Sequence, residues 1–599
     1  MAALSSRSTH CDPVSANSFP LNLGSPRFSN AELDDLARNQ GSLAAWRQAV
    51  ANDAVNALSI VTGDFAVAFR EPGGRTFMAV DRFAIRSLCY RLDAGTLRFA
   101  ARADELADAS TEIDPQAIFD YLYFHVIPSP RTIYKGIFRL PPGHCAVFEN
   151  GHLTVSPYWT ATFEEQRGAR FADLKDEFRQ LLQDAVARQL DGSKAACFLS
   201  GGTDSSTVAG MVALASGKPA ATYSIGFDAQ GYDEMAFARL AAKHFHTEHH
   251  EYYVTPDDLV RSIPLVAAHY DQPFGNSSAL PAYYCAKMAR SDGVSKLLAG
   301  DGGDELFGGN TRYAKQKVFG WYDQIPPGLR TGLLEPLSRS SVMKQIPLLR
   351  KGASYVNQAQ AVMPGRMMTH NLLLRLGLDA MLSPALLAQV AMPDRMMTYN
   401  LLFRLGLDAM LTPELLSQVD QQDPNRQQGS VWAQARTDNL VNRMLAFDWR
   451  YTLADCDLPK VVGTTDLAGV GVGFPLLDDR LLAFSQRLPP SYKLKGLKLR
   501  WFFKEALRDF LPAEIIAKKK QGFGLPFGVW ANAHPALKAL AADSLYSLAG
   551  RGVVRKDFVK NLLDQRLAEH PGYYGEMVWI LTMLEQWLAA KAPRFRLAS

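Results

Sequence analysis

Charge of one sign, paired cysteines and long apolar runs are all scarce in this chain of 599 residues. Its 64 Lys and Arg nearly balance its 60 Asp and Glu, which leaves a net charge of +4. Nothing in this balance calls for a nucleic-acid partner, because such partners select strongly basic surfaces. The six cysteines are far apart and form no CxxC pair, which argues against a disulfide framework or a zinc ribbon and favours a reducing compartment.

Membrane and targeting signals are missing as well. No apolar run approaches the roughly 18 residues of a membrane-spanning helix, and the N-terminus has no basic segment followed by an apolar one. We therefore expect a cytoplasmic protein without a membrane partner. The length corresponds to about two to four domains at roughly 100–200 residues each.

Two domains with different patterns are predicted. Residues 1–165 are rich in strands, since runs such as FAVAFRE and CAVFENGHLTV alternate with GD, PGG and PPG turns. In residues 170–599 the strands AACFL, ATYSIGF, EHHEYYV and SKLLAG alternate with segments of helical spacing. This alternation predicts a parallel α/β sheet with helices on both faces.

A helical insertion is predicted at about 314–430, where strand signals stop. It contains a tandem repeat, because the segment 363–390 recurs as 392–419 with about 22 of 28 positions identical. Two copies are too few for a solenoid. We interpret the repeat as a duplicated helical hairpin that buries a Met/Leu stripe. The alternative is a methionine-rich surface that adapts to a bound peptide.

The stretch FLSGGTDSST has the pattern of a phosphate-binding loop between a strand and a helix. Gly201 and Gly202 let the backbone approach a ligand, and the N-terminus of the following helix favours an anion. Ser200 and Ser205 add hydroxyl donors, while Asp204 indicates a Mg²⁺ ion shared with the phosphates. The pattern GxxxxGK[ST] is absent, so this is not a Walker-type loop.

A second acidic loop, LLAGDGGDELFGG, follows another predicted strand and carries Asp301, Asp304 and Glu305. It lacks the alternating acids of an EF-hand. The carboxyl ends of parallel strands lie at one edge of a sheet. We therefore expect Asp204 and Asp304 to share one Mg²⁺.

Three segments together resemble the synthetase domain of the asparagine synthetase B family. They are SGGTDSS, the stretch that ends in GDGGDELFGG, and KKKQGFGLP. The resemblance runs with gaps from about 175 to 530. It implies a PP-loop ATP pyrophosphatase-type fold. It also implies ATP and Mg²⁺ as cofactors, and an acyl-adenylate made from a carboxylate with release of pyrophosphate and then AMP.

The resemblance assigns roles to individual residues. Five match the residues that hold pyrophosphate: Ser200, Gly201, Gly202, Asp204 and Ser205. Three match the adenine and ribose pocket: Phe198, Ile225 and Gly300. The Mg²⁺ ligands are Asp204 and Asp304. Lys520 matches the family lysine that stabilises charge on the α-phosphate, with Lys519 as the adjacent alternative. Asp301 stands where relatives carry Glu or Tyr, and it is the predicted base for the attacking amine.

The N-terminal segments GDFAVAFREPGG and GIFRLPPGHCAVF resemble the family's class II glutaminase domain, which has an Ntn-type αββα fold. Such a glutaminase uses a cysteine exposed after removal of Met as its nucleophile. Here residue 2 is Ala2 and the first cysteine is Cys11. The glutamine-holding motifs RGPDG and NGEIYN are also absent. We therefore expect a degenerate domain that makes no ammonia.

The acceptor motifs have lost charge. Where asparagine synthetases usually read K-x-D-R and L-E-A-R-x-P-F-L-D, this chain reads KVVG and VGVGFPLLD, which favours a substrate larger or more apolar than aspartate. Lasso peptide macrocyclases, which are family members without the cysteine, join an Asp or Glu side chain of a peptide to its own N-terminal amine. The first hypothesis is such a cyclase, with a precursor peptide as substrate and a leader peptidase as partner.

Two other hypotheses stay open. One is a β-lactam-synthetase-like or asparagine-synthetase-like enzyme that acts on a small substrate. The other is a non-catalytic scaffold, which the retained Asp204, Asp304 and Lys520 argue against. The histidine-rich stretch KHFHTEHHEYY spans a predicted helix-to-strand junction, and we expect no metal there.

Overall fold

The computed structural model describes residues 20–52, 56–166, 168–339, 355–356, 359, 363–368, 406–519 and 524–597. Cys11, Lys520 and most of the tandem repeat lie outside these ranges. The chain forms two compact units, one made of the residues up to Asp114 with Ser129–Trp159, the other of Pro115–Pro128 with the residues from Thr160 onward. In the described ranges no helix has the length and apolar character needed to cross a membrane.

The first unit is built around an antiparallel sheet. Its strands are Leu21–Gly24 (β1), Arg27–Phe28 (β2), Val61–Thr62 (β3), Phe65–Arg70 (β4), Thr76–Val80 (β5), Cys89–Asp93 (β6), Thr96–Ala100 (β7), Ile137–Arg139 (β8), His144–Glu149 (β9) and His152–Pro157 (β10). Its helices are Ala31–Gln40 (α1), Ser42–Asn52 (α2) and Asn56–Ser59 (α3). The sheets have the orders β1-β4-β5-β9-β10, β7-β6-β8 and β2-β3.

The alternation of side chains along β4 explains the layers of this unit. Phe65, Val67 and Phe69 point to one face, where they pack with Trp46 of α2. Ala66 and Ala68 point to the other face, into a second core with residues of β6 and β7. Because successive residues of a strand face opposite sides, one strand supplies both cores. The sheet is thus covered by helices on one face and by the smaller sheet on the other.

The second unit contains the predicted parallel sheet. Its strands are Ala196–Phe198 (β11), Ala221–Phe227 (β12), Glu248–Val254 (β13), Lys296–Leu298 (β14) and Gly471–Gly473 (β15). The order is β13-β12-β11-β14-β15, and every neighbouring pair is parallel. The four strands expected from the sequence are confirmed. The short strand β15 at the sheet edge was not expected, since GVG carries no strand signal.

Helices connect and cover this sheet. Before the predicted insertion they are Pro115–Phe124 (α4), Phe171–Ala187 (α5), Thr203–Ser216 (α6), Met235–Phe245 (α7), Pro256–His269 (α8), Ala279–Ser291 (α9), Gly303–Phe307 (α10) and Thr311–Asp323 (α11). The described part of the insertion holds Pro327–Leu329 (α12), the π-helix Arg330–Leu334, Glu335–Arg339 (α13), the 3₁₀-helix Gly365–Met368, Pro413–Leu416 (α14) and Asp423–Gln434 (α15).

The remainder of the unit is largely helical. Its elements are Leu440–Asp448 (α16), the π-helix Trp449–Asp457, Leu458–Leu467 (α17), the 3₁₀-helix Pro475–Leu477, Asp479–Arg487 (α18), Pro490–Lys493 (α19), Leu494–Lys495 (β16), Lys498–Leu499 (β17), Trp501–Ala506 (α20), Ala513–Ala517 (α21), Phe527–Ala533 (α22), Pro535–Gly550 (α23), Lys556–Asn561 (α24), the π-helix Leu562–Arg566, Leu567–Glu569 (α25) and Pro571–Lys591 (α26).

The strand order reverses between β11 and β14. From β11 the chain adds β12 and then β13 on one side, whereas β14 and β15 lie on the other. At such a switch point the loops that follow the two central strands diverge and leave a crevice. The glycine loop after β11 and the acidic loop after β14 therefore lie on the two sides of one crevice.

Candidate active site

A cleft of about 1410 Å³ opens within the second unit at the carboxyl ends of β11 and β14. Ten of the residues predicted for the site line it: Phe198, Ser200, Gly202, Asp204, Ser205, Ile225, Gly300, Asp301, Asp304 and Lys519. Gly201 lies against α7, and Lys520 is outside the described residues. The structure thus brings the two predicted loops together, while the role of each residue stays a prediction.

The loop before α6 has the backbone geometry of an anion site. Gly201 adopts a φ of +65°, and a Cβ there would overlap the backbone of Phe237 and Ala238, so glycine is required. Helix α6 begins directly after Gly202, and among the described residues no side-chain hydrogen bond caps it. Its first N–H groups and its dipole therefore favour an anionic ligand.

The two loop serines hold this geometry. Ser205 Oγ accepts the backbone N–H of Ser200 at 3.2 Å and lies 3.0 Å from Ser200 Oγ. Ser200 Oγ in turn accepts the N–H of Gly202 at 3.3 Å. The hydroxyls thus fix the shape of the loop, in addition to their predicted contact with pyrophosphate.

Glycines let the acidic loop approach the first loop closely. A Cβ on Gly300 would lie 2.8 Å from the nitrogen of Ser205, and one on Gly303 would overlap the carboxylate of Asp204. Because these positions carry no side chain, Asp204 and Asp304 meet although they follow different strands.

One guanidinium joins these two carboxylates. Arg500 Nη1 lies 2.8 Å from Asp204 Oδ2 and 2.7 Å from Asp304 Oδ1, while its Nη2 bonds Asp204 Oδ1. The Arg500 side chain is 6% exposed. Sequence reasoning missed this residue, because a single arginine between β17 and α20 matches no motif.

Asp204 and Asp304 suit a Mg²⁺ ion that is bound together with phosphates. In the part of the chain that the structure describes, no group of three or more His, Cys, Asp or Glu forms a metal site by itself. Burial raises the pKa of neighbouring Glu305 to about 8, so its carboxyl is largely protonated near pH 7. Mg²⁺ commonly takes one or two carboxylates and completes its shell with substrate phosphates and water, and the carboxylate pair fits that pattern.

A buried lysine faces the predicted base. Lys460 Nζ lies 3.4 Å from Asp301 Oδ1 and 3.0 Å from Asp457 Oδ1. Burial opposes the charged form of Lys460, but Asp457 and Asp301 outweigh it and raise the lysine pKa above its usual range. Burial also raises the pKa of Asp301, against the effect of Lys460. Lys460 is the single lysine of the KVVG motif. The sequence alone assigned it no role.

The rest of the KVVG motif is packed rather than polar. Val461 lines the cleft. A Cβ on Gly463 would overlap the ring of Tyr270, whose hydroxyl donates to the Lys460 carbonyl oxygen at 3.1 Å. Tyr270 therefore fills the space that a larger side chain at position 463 would need.

Two lysines of the basic segment 518–520, Lys518 and Lys519, line the cleft. Among the described residues, an ion pair is found for Lys518. Lys518 Nζ lies 3.2 Å from Glu234 Oε1 and 4.4 Å from the centre of the Phe237 ring. Lys519 is exposed and lines the cleft. Of the two lysines predicted to act on the α-phosphate, Lys519 is thus at the cleft.

The histidine-rich stretch forms hydrogen-bonded pairs on β13. His249 Nδ1 lies 3.0 Å from Thr222 Oγ1, and His250 lies 3.1 Å from Glu248 and 3.2 Å from Asp292. His249 Nε2 lies 3.3 Å from Glu251 Oε1 but has no hydrogen-bond partner among the described residues.

A parallel sheet with a glycine loop, an uncapped helix and paired carboxylates at its switch point is the arrangement typical of α/β proteins that bind phosphorylated ligands. The chain belongs to the asparagine synthase family, whose model matches residues 177–589. A glutamine amidotransferase domain model matches residues 46–159. Members of this family are ATP-dependent carbon–nitrogen ligases. The predicted family and the predicted α/β class of both domains are confirmed.

Two of the named relatives cover most of the chain, and a third covers less than half of it. A putative glutamine-hydrolysing asparagine synthetase of Mycobacterium tuberculosis (strain ATCC 25618 / H37Rv) is 26% identical over 548 residues, which cover 89% of this chain and 77% of the relative. Asparagine synthetase 1 of Bacillus subtilis (strain 168) is 23% identical over 85% of this chain and 74% of its own length. A putative asparagine synthetase 2 of Methanocaldococcus jannaschii is 31% identical over 44% of this chain and 52% of its own length.

Proposed function

We propose that the protein is an AMP-forming amide synthetase of the cytoplasm. The observation that carries this proposal is the convergence of Asp204 and Asp304 beside the glycine loop. The substrate carboxylate attacks the α-phosphate of ATP, which forms an acyl-adenylate and expels pyrophosphate. An amine then attacks the acyl carbon, the C–O bond to AMP breaks, and the amine loses one proton.

The residues of the cleft divide these tasks. The loop at Gly201 and the N-terminus of α6 bind the pyrophosphate, while Phe198 and Ile225 line the nucleoside pocket. Asp204 and Asp304 would hold Mg²⁺, which would supply positive charge beside the phosphates. Lys519, with Lys520 beyond the described residues, stabilises the charge that develops on the α-phosphate.

Asp301 is the proposed acceptor of the proton from the amine. A base works best when its pKa is close to the working pH. Burial raises the pKa of Asp301. Lys460 holds this carboxylate in place from 3.4 Å. The pair lies in the same cleft as the carboxylates proposed to bind Mg²⁺.

The amine is proposed to come from the substrate or from free ammonia rather than from glutamine. A class II glutaminase needs a reactive thiolate. The described cysteines of the first unit, Cys89 and Cys145, are buried, and burial raises the pKa of the Cys145 thiol. Cys11 lies outside the described residues.

For the acceptor we propose first a peptide, as in lasso peptide macrocyclases. The cyclase would join an Asp or Glu side chain to the N-terminal amine that a leader peptidase has exposed. The cleft volume of about 1410 Å³ exceeds the roughly 300–1,000 Å³ of common small-molecule sites. Apolar Val461 and packed Gly463 also fit a substrate less polar than aspartate.

A small acid is the second candidate, and the relatives favour it. Three relatives that match this chain are named asparagine synthetases. Lys460 keeps one positive charge in the KVVG motif, and such a charge suits a substrate carboxylate. A β-lactam-type synthetase belongs to the same class of small-substrate enzymes.

One assay separates these candidates. The enzyme is incubated with Mg·ATP and either peptides that have a free N-terminus, small diacids with ammonia, or diacids with glutamine, and AMP and product mass are measured. A peptide that loses one water while AMP appears supports the cyclase. Amidation of a diacid supports the small-substrate enzyme, and AMP without either product contradicts both. If Asp204→Asn leaves ATP–pyrophosphate exchange unchanged, or no exchange occurs with any acid, the scaffold hypothesis gains.

A further inference from the structure

Arg500 neutralises a carboxylate pair that Mg²⁺ is proposed to bind. Its guanidinium contacts three carboxylate oxygens, two of Asp204 and one of Asp304. Two carboxylates held this close repel each other strongly in a poorly solvated site. Lys460, another buried cation of the cleft, contacts Asp301 and Asp457 instead. Arg500 therefore joins Asp204 to Asp304 in the structure.

Arg500 and Mg²⁺ compete for the same oxygens. A Mg²⁺ ion needs its oxygen ligands at about 2.1 Å in octahedral geometry, and three of the four carboxylate oxygens of the pair accept hydrogen bonds from the guanidinium. The ion also brings two positive charges where arginine brings one. When Mg²⁺ binds between Asp204 and Asp304, the guanidinium has to move.

The surroundings of Arg500 allow its side chain to move while its backbone stays in place. Its N–H donates to the carbonyl oxygen of Gly308 at 3.1 Å, which fastens the backbone to the acidic loop. A Cβ on Gly309 would lie 2.5 Å from Arg500 Cδ, so the absence of a side chain there leaves room for the arginine. The guanidinium carbon lies 4.5 Å from the centre of the Phe503 ring, a contact that stacks the cation on the ring without a hydrogen bond.

One donor of the side chain is still available. Within the part of the chain that the structure describes, the buried Nε of Arg500 has no hydrogen-bond partner. A buried N–H without a partner is costly, and phosphate oxygens match the planar fork of arginine. The glycine loop that is proposed to bind pyrophosphate lies in the same cleft.

We propose that Arg500 substitutes for Mg²⁺ between Asp204 and Asp304 while no nucleotide is bound, and that it pairs with the pyrophosphate group when Mg·ATP enters. The proposal rests on the proposed function, because it takes ATP to be the ligand. It makes Arg500 a positioning residue in one state and a phosphate ligand in the other. The residue that keeps the empty site folded then also binds the leaving group.

The first test needs no nucleotide. Thermal melting is measured with and without millimolar MgCl₂ for wild type, Arg500→Met and the control Arg555→Met, whose guanidinium pairs with Asp557 and does not line the cleft. Without Mg²⁺, Arg500→Met melts at a lower temperature than wild type. Mg²⁺ alone raises the melting temperature of Arg500→Met by about 2 °C or more and leaves wild type and Arg555→Met unchanged. An equal shift in all three proteins would overturn the proposal.

The second test uses Mg·pyrophosphate as the ligand. We expect Arg500→Met to bind it about tenfold or more weakly than wild type, because a charge-assisted contact is lost, while Arg555→Met binds as wild type does. Unchanged binding in Arg500→Met contradicts the proposal.

Arg500→Lys covers the case in which Arg500→Met does not fold. Lysine keeps a positive charge beside Asp204 and Asp304, so the melting temperature of this variant should not respond to Mg²⁺ alone. It lacks the planar guanidinium, so it should bind Mg·pyrophosphate more weakly than wild type. In wild type, a clear melting shift with Mg²⁺ alone contradicts the proposal whatever the variants do. If ATP–pyrophosphate exchange is absent although Mg²⁺ stabilises only Arg500→Met, the proposed function fails and the substitution for Mg²⁺ stands.

Discussion

Lys460 Nζ lies 3.4 Å from Asp301 Oδ1, although 159 positions separate the two residues in the sequence. The contact joins helix α17 to the acidic loop after β14. It places a fixed positive charge beside the proposed base and favours the ionised form of that base.

Asp301→Asn should separate the two half-reactions. The amide cannot accept the proton of the amine, so amide formation should fall about 10²–10⁴-fold. ATP–pyrophosphate exchange should stay within about threefold of wild type, since the carboxylate attacks without this base. Both rates are measured on the same preparation, with Asp543→Asn on the exposed face of α23 as control. Equal loss of both rates would assign Asp301 to adenylation instead.

Lys460→Met should move the pH profile of amide formation. The lysine lowers the pKa of Asp301 against the larger effect of burial, so its removal raises that pKa further. A base acts only when deprotonated, and the rise of the rate with pH should therefore shift to higher pH. Lys460→Arg should restore the wild-type profile. A profile with the same midpoint and only a lower plateau would indicate a purely structural lysine.

Gly201→Ala should abolish exchange and destabilise the protein. The residue has a φ of +65°, and its Cβ would overlap the backbone of α7, which adds a steric clash to a strain of about 1–3 kcal/mol. Gly217 is the matched control, because it ends the same helix with a φ of +67° and would place its Cβ within 4 Å of no described atom. Chemical denaturation and exchange are measured for both variants. We expect Gly217→Ala to lose stability and keep exchange.

Lys493→Met should change how stability depends on pH. Lys493 is fully buried and donates to Asn442 Oδ1 at 2.9 Å, and burial lowers its pKa to about 7. Unfolded lysine titrates near 10.4. Between these values the unfolded chain binds one more proton, so stability rises with pH by about 1.4 kcal/mol per unit.

The measurement is urea unfolding of wild type and Lys493→Met at pH 6, 7, 8 and 9. The stability of wild type relative to the variant should increase above pH 7 and be constant below it. Parallel pH dependence of the two proteins would contradict the lowered pKa. Lys495→Met, at an exposed position next to this site, should follow the wild-type curve.

The meeting of the two loops was predictable because both signals are local. SGG before a helix and GDGGDE after a strand each carry a pattern, and the rule for parallel sheets places both at one edge. Gly300 and Gly303, where a side chain would overlap the first loop, belong to these same patterns. For this part of the site the sequence was sufficient.

The cations of the site were not predictable in the same way. Arg500 reaches Asp204 across 296 positions of sequence, and Lys460 reaches Asp301 across 159. Neither residue lies in a sequence motif that identifies its partner. A single basic residue without such a motif is most often exposed to solvent. What selects them is the charge of the acids that they meet, and that is known only once the chain is folded. Strand β15 was missed for a similar reason, because its pairing with β14 rather than its composition makes it a strand.

Helix α6 begins without a side-chain cap among the described residues, and this has a consequence for how the protein responds to its ligand. An unfilled helix end frays more readily than a capped one. An anion bound at Gly202 completes the hydrogen bonding of the first turn, so the ligand acts as part of the secondary structure. Amide hydrogen exchange at Asp204 and Ser205 should then slow on binding by more than exchange in the last turn of the same helix, which makes the start of α6 a reporter of occupancy that needs no turnover.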